Sequence, residues 1–329
     1  MHLRYISLVL SCSIWATYAD EQPKNFIAAP DDPALVSALG IAERITAEAK
    51  RLGFHQAPAF IGPPLKSVFY AEYGRLERIK SFQLPLRKDV DVITNDDCWI
   101  ELGENGGPLY SYAFLPSEKP RADAYPPTLS KEEALTKCSA FVTLLTTGGN
   151  LRLKPGQMEF KQELNYAHPE TPHVGAYWTV AFQRYTPHDV PVLGDNVLVR
   201  IEEQCGLRYF KNDCQAALHI PADEQPQVTK EEAARLAISL ALRLKKDSPA
   251  YGAYYSGHEL DEKPAAVELL VARPNNMMTC TDLHSLKQEK FGVLIWAVTF
   301  RLTDPKKQMM PAPLTVFVDA LTGKLAGGR

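Results

Sequence analysis

Val228-Thr229-Lys230-Glu231-Glu232-Ala233 and Leu129-Ser130-Lys131-Glu132-Glu133-Ala134 are two versions of one phrase, 99 residues apart (229 − 130). Each is an apolar residue, a hydroxyl residue, a lysine, two glutamates and an alanine. A Ser or Thr followed three residues later by Glu is the signature of a capping box at a helix start. The acidic pair also suits the positive end of the helix dipole. Beyond the caps, Ala134, Cys138, Phe141, Val142 and Leu145 match Ala233, Ala237, Leu240, Ala241 and Leu244 at the same offset. Both sets follow helical spacing and predict one apolar stripe per helix. Gly148-Gly149 ends the first helix, and Lys245-Lys246-Asp247 closes the second.

Strand-like segments follow each helix. Tyr177-Trp178-Thr179-Val180-Ala181-Phe182 resembles Ile295-Trp296-Ala297-Val298-Thr299-Phe300, and the alternation predicts a strand with one buried face. Val199 to Gly206 then parallels Val316 to Gly323, each a strand running into a glycine turn, at an offset of 117 (323 − 206). The order helix, then antiparallel strands, occurs twice, which predicts an α+β fold. An earlier stretch reads either as a diverged third version or as an unrelated α+β segment. Asp32 caps a helix with Pro33 at its first position, and its stripe is Leu35, Ala38, Leu39, Ala42, Ile45, Ala49 and Leu52. Ile100 to Gly107 echoes the strand-and-turn ending.

The terminal segment resembles the PepSY family through Thr229-Lys230-Glu231-Glu232-Ala233, Trp296-Ala297-Val298 and Val318-Asp319-Ala320-Leu321-Thr322-Gly323. Residues 129–221 resemble a second copy, which departs from the pattern with Glu202-Glu203-Gln204-Cys205 at its end. The resemblance implies small units of one helix packed on an antiparallel sheet, in an extracytoplasmic setting. It also implies protein binding, since such domains occur in propeptides that restrain secreted metallopeptidases and in free-standing envelope proteins. No catalytic residue comes with it. The expected organisation is a signal peptide at 1–19, an N-terminal α+β unit at 20–115, a linker at 116–128, a unit at 129–221, a linker at 222–227 and a unit at 228–329. The linkers are rich in proline and polar residues, which is boundary material.

The N-terminus itself reads as an export signal. Arg4, an apolar stretch from Tyr5 to Ala16, and Thr17-Tyr18-Ala19 before Asp20 are its three parts. Cleavage after Ala19 is expected; a retained anchor and a lipoprotein cut before Cys12 are the alternatives. The mature chain would carry 35 basic and 39 acidic residues, from 36 and 39 in the whole. That balance excludes a strongly basic nucleic-acid-coating surface. No later apolar run is long enough for a membrane span, so the expected location is secreted or periplasmic.

Motifs for chemistry are missing. There is no His-Glu-x-x-His, Gly-x-Ser-x-Gly, phosphate loop, dinucleotide fingerprint or Cys-x-x-Cys. His168 and His173 around Pro169-Glu170-Thr171-Pro172, His188-Asp189, and Ser256-Gly257-His258-Glu259 read as loop residues rather than metal or acid–base groups. Tyr251, Tyr254 and Tyr255 read as cover for a sheet edge, with a partner anchor as the alternative. Trp178 and Trp296 are expected in the core, because a unique site rarely recurs in both copies. No catalytic residue, cofactor or metal is nominated. Cys138 is expected as a small buried residue. Cys205 and Cys214 flank the Gly206 turn and are expected to form a local disulfide, while Cys98 and Cys280 stay unassigned. The expected function is a non-catalytic exported protein that binds other proteins, a secreted peptidase among them. A structural envelope protein is the second reading and an enzyme without a recognisable motif the third.

Overall fold

In the computed structural model, residues 25–27, 30–55, 65–69, 90–94, 98–103, 106–114, 127–146, 151–165, 173–203, 205–214, 225–247, 258–273, 292–304 and 312–328 are described. The architecture is α+β, mostly sheet with few helices, as the sequence predicts. The signal segment lies outside the described residues. Among those described, no helix is long and apolar enough to cross a membrane.

The described residues fall into two compact units. The first comprises residues 1–145, 159–179 and 199–211; the second comprises 146–158, 180–198 and 212–329.

In the first unit, β1 (Asn25–Ile27), β2 (Leu65–Phe69), β3 (Val90–Thr94), β4 (Cys98–Gly103) and β5 (Leu109–Phe114) pair in sequence order as an antiparallel ladder. β5 then pairs antiparallel with β9 (Gly206–Asn212), Tyr112 opposite Phe210. Ile93, Ile100, Leu102, Tyr112, Phe114 and Phe210 are buried to 1% exposure or less. Helix α1 (Pro33–Arg51) packs against β3 and β4 and against α2 (Lys131–Leu145). Asp32 caps α1 as expected, its Oδ1 accepting from Ala34 N at 2.9 Å and Leu35 N at 3.3 Å. The buried stripe is Ala34, Leu35, Ala38, Ile41, Ala42, Ile45 and Ala49, while Leu39 and Leu52 sit at its margin. The helix stops in a Schellman turn: Phe54 N donates to Ala49 O and Gly53 N to Lys50 O, with Gly53 at φ +83°. Only glycine takes that backbone without strain.

The second unit holds helix α3 (Lys230–Asp247), which packs on β12 (Val293–Phe300) and β14 (Leu314–Asp319). β12 is flanked by β11 (Ala266–Ala272) and β14, and β14 pairs with β15 (Leu325–Gly328). Ala233, Ala237 and Ala241 are the buried face of α3, so the helix backbone lies close on Val298, Phe300, Leu314, Val316 and Val318. Leu240 is only half-buried at the edge of this core. The expectation of one buried face on β12 is corrected. Ile295 and Ala297, on the face away from α3, are also buried, together with Leu270, Ala272 and Phe317. Both neighbours of β12 are strands, and a central strand covered on both faces reads as a continuous apolar run.

β6 (Arg152–Asn165), β7 (His173–Tyr185) and β8 (Pro191–Glu202) form an antiparallel series, β6 on β7 and β7 on β8. A short β10 (Glu259–Leu260) pairs with β13 (Leu302–Thr303). Among the described residues β6 has β7 as its one strand neighbour, and none of Arg152 to Gln162 is buried. Pro155 suits such an edge, because it has no N–H to offer a ladder.

Candidate functional site

The chain that leads into each helix has amide groups that need an acceptor. At α3 the acceptor is main chain. Ala320 O accepts from Gln227 N and from Val228 N, both at 2.9 Å, and Ala320 N donates to Leu294 O at 2.9 Å. Val228 O in turn accepts from Trp296 Nε1 at 2.8 Å. The turn before this joint is built by Asp319, whose Oδ1 accepts from Leu321 N and Thr322 N at 2.8 Å. Gly323 closes it at φ +72°, and a Cβ there would stand 3.1 Å from Leu236 Cδ1 of α3. The Val-Asp-Ala-Leu-Thr-Gly run is therefore a turn fitted under the helix.

At α2 the acceptor is a side chain. The Glu203 carboxylate, 6% exposed, accepts from Thr128 N at 2.8 Å, Thr128 Oγ1 at 2.8 Å, Leu129 N at 3.0 Å and Trp178 Nε1 at 2.9 Å. Its own N–H donates to Ala176 O at 3.3 Å. Thr128 and Leu129 correspond to Gln227 and Val228 at the offset of 99, and Glu203 to Ala320 at the offset of 117. A buried carboxylate is tolerated only when donors surround it, and here they do. Neighbouring Glu202 stands at the Asp319 position. It accepts from Arg208 Nε at 2.5 Å inside the protein, and the Arg208 guanidinium lies 5.7 Å from the Phe114 ring centre.

The second unit holds another buried ion pair. Arg184 Nη1 donates to Asp195 Oδ2 at 2.8 Å. Gln183 Nε2 donates to the carbonyls of Val192 and Asp195. Burial holds the half-buried Arg273 guanidinium below the ordinary arginine range, while the Asp195 charge opposes that shift. Burial, reinforced by the charge of Asp195, pushes the Cys214 thiol up to about 12. In the first unit, burial pushes Cys138 up to about 12 as well. Nucleophilic thiols need the opposite shift, so both cysteines are built as packing.

Cys138 is buried on the α2 stripe, as expected. The bridge expected between Cys205 and Cys214 is not shown by the structure, in which both residues are buried. Strand β9 runs between them, and seven residues of strand span about 20 Å, against the roughly 4.4–6.8 Å between Cα atoms that a disulfide needs. Their spacing of nine marks the two ends of one strand. Cys98 is a buried thiol on β4, and Cys280 lies outside the described residues.

The tryptophans lie in equivalent joints, Trp178 buried and Trp296 half-buried, and each uses its indole N–H there. Asp189, at φ +64°, is held by Arg152 at 2.7 Å and Lys154 at 2.9 Å, which pull its carboxyl below the usual range. Its cation partners therefore come from β6, beside the exposed His188. His168, Ser256, Gly257 and Tyr251, Tyr254 and Tyr255 lie outside the described residues, as does the side chain of His173. Among the described residues, no group of three or more His, Cys, Asp or Glu is placed to hold a metal ion.

Sequence reasoning missed Glu203, Arg208, Arg184 and Asp195. Glu203 left one trace, standing where the run from 316 to 323 has Ala320. A charge at a position that should be buried demands donors, and the two amides before α2 supply them.

No family model matches the chain, and no curated protein matches it. Among solved structures it is similar to the Bacillus megaterium YpeB C-terminal domain, at 13% identity and a TM-score of 0.39. That match covers 92% of this chain and 97% of the other.

Proposed function

We propose that this is a non-catalytic, exported PepSY-like protein that binds other proteins, and that restraint of a secreted or envelope protease is the form this binding takes. Residues 129–221 and 228–329 are read as two copies of one motif. The observation that carries the reading is the match between motif and geometry in the second unit. The capped helix of the Thr-Lys-Glu-Glu-Ala run lies on the strand bearing Trp296 and Val298, and the Val-Asp-Ala-Leu-Thr-Gly run makes the turn beneath it. The buried charges in both units are tied to one another or to backbone amides, which supports a binding role over a catalytic one. β6 offers a contact surface: an edge strand with exposed side chains presents backbone groups to which an extended segment of a partner can pair.

The test is capture from the secretome and envelope of the source organism with the purified mature chain. Protease assays with and without the chain then follow. Stable capture of a peptidase with loss of its activity is the expected result. Repeated capture of envelope structural components alone would establish the assembly reading instead.

A further inference from the structure

We infer that Glu203 is a side-chain latch on the segment leading into α2, which makes that segment separately releasable, while its counterpart before α3 is bolted into the sheet. The two joints satisfy the same need with different atoms. Ala320 O cannot leave Gln227 N and Val228 N without moving the peptide it shares with Leu321 N, which Asp319 Oδ1 holds, next to the peptide whose Ala320 N donates to Leu294 O of β12. The Glu203 carboxylate sits at the end of three rotatable side-chain bonds. Turning it away frees Thr128 N, Thr128 Oγ1 and Leu129 N at once and leaves the Glu203 peptide on Ala176 O. The capping box that starts α2 also survives, since Ser130 and Glu133 bond only to each other in it. Opening the latch therefore frees the amides of Thr128 and Leu129 ahead of α2 and leaves α2 capped. The cost is borne at one carboxylate and is reported by one indole, Trp178.

Backbone amide exchange in the full mature chain tests this, with Glu203→Ala, Glu203→Gln and Thr128→Val compared with the parent. In Glu203→Ala the amides of Thr128 and Leu129 should exchange about tenfold faster or more, since charge-assisted hydrogen bonds are lost. Gln227 and Val228 should keep the parent rate, and the Trp178 indole N–H resonance should move. Glu203→Gln should give a smaller acceleration at the same two amides. If Glu203→Ala does not fold, Glu203→Gln and Thr128→Val carry the test, each expected to accelerate only residues 128–129. Unchanged exchange at 128–129 in a folded variant, or equal acceleration at 227–228, would overturn the latch.

Discussion

The segments leading into α2 and α3 begin from nearly the same words and are fastened differently. Before α3 the fastening is backbone to backbone, through Ala320 O. Before α2 it is backbone to carboxylate, through Glu203. What is kept between the two is the demand of two amides and an indole for partners, not the atom that answers it. The same divergence runs outward from the joint. At the position of Lys137, α3 carries Leu236, which packs over Gly323. Lys137 instead donates to Leu52 O at the end of α1 and lies 4.5 Å from the Phe54 ring centre. At the position of Leu325 the first unit has Arg208, and Glu202 comes with it. One helix is shaped to dock on another helix, the other to sit on its own sheet.

The sharpest way to break the comparison is a charge at the shared stripe position. Ala237 is fully buried, so Ala237→Asp should cost about 4–5 kcal/mol or abolish folding. Half-buried Leu240 should lose only about 1–2 kcal/mol as Leu240→Asp. Urea unfolding would measure both, and equal losses would contradict the placement of the α3 stripe. Next, Arg208→Leu installs the residue that stands at position 325 and strands Glu202 inside the protein. A loss of about 3–4 kcal/mol is expected, and replacing Glu202 with Leu as well should recover most of it. If the single variant is as stable as the parent, the buried pair is not the tie that its geometry implies.

A smaller effect comes from the thiols. Cys138 and Cys214 stay protonated in the fold up to about pH 12, whereas an unfolded cysteine ionises near 9. The unfolded chain therefore loses protons first as pH rises. The stability present below pH 9 should fall between pH 9 and 12, by up to about 1.4 kcal/mol per pH unit for each thiol. Cys138→Ala, which makes the two stripes alike, should flatten that decline. An unchanged alkaline slope would contradict the burial of Cys138. The smallest effect is at the caps. Ser130 Oγ accepts from Glu133 N while Ser130 N donates to the Glu133 carboxylate, and Thr229 Oγ1 accepts from Glu232 N. Ser130→Ala and Thr229→Ala should each cost about 1 kcal/mol by thermal unfolding, with Ser130 the larger.

The caps, the stripes and the Asp319 turn were legible in the sequence because their partners lie within a few residues. Asp32, Ser130 and Thr229 all cap where their spacing predicts. What escaped were partners set by the fold. Nothing near Glu203 in sequence announces Thr128, 75 residues away. Cys205 and Cys214 looked like a hairpin pair because the strand between them was read as part of the turn. β6 runs through Pro155-Gly156, two residue types that favour turns. It survives because that edge needs no inter-strand donor from Pro155.

The parallel contact of Val192 with Val271 has a kinetic consequence. These residues are 79 positions apart (271 − 192), and α3 lies between them in the chain. Among the described residues, the pairings of β10 with β13, β11 with β12, β12 with β14 and β14 with β15 join strands much nearer in sequence. Closing so long a loop costs chain entropy before the contact returns anything. The α3 sheet thus has the means to assemble early from local pairs, and the β8 bridge joins last. In a rate-based mutational scan, substitutions at Val192 would speed unfolding and leave the folding rate nearly untouched, the signature of a contact made after the barrier.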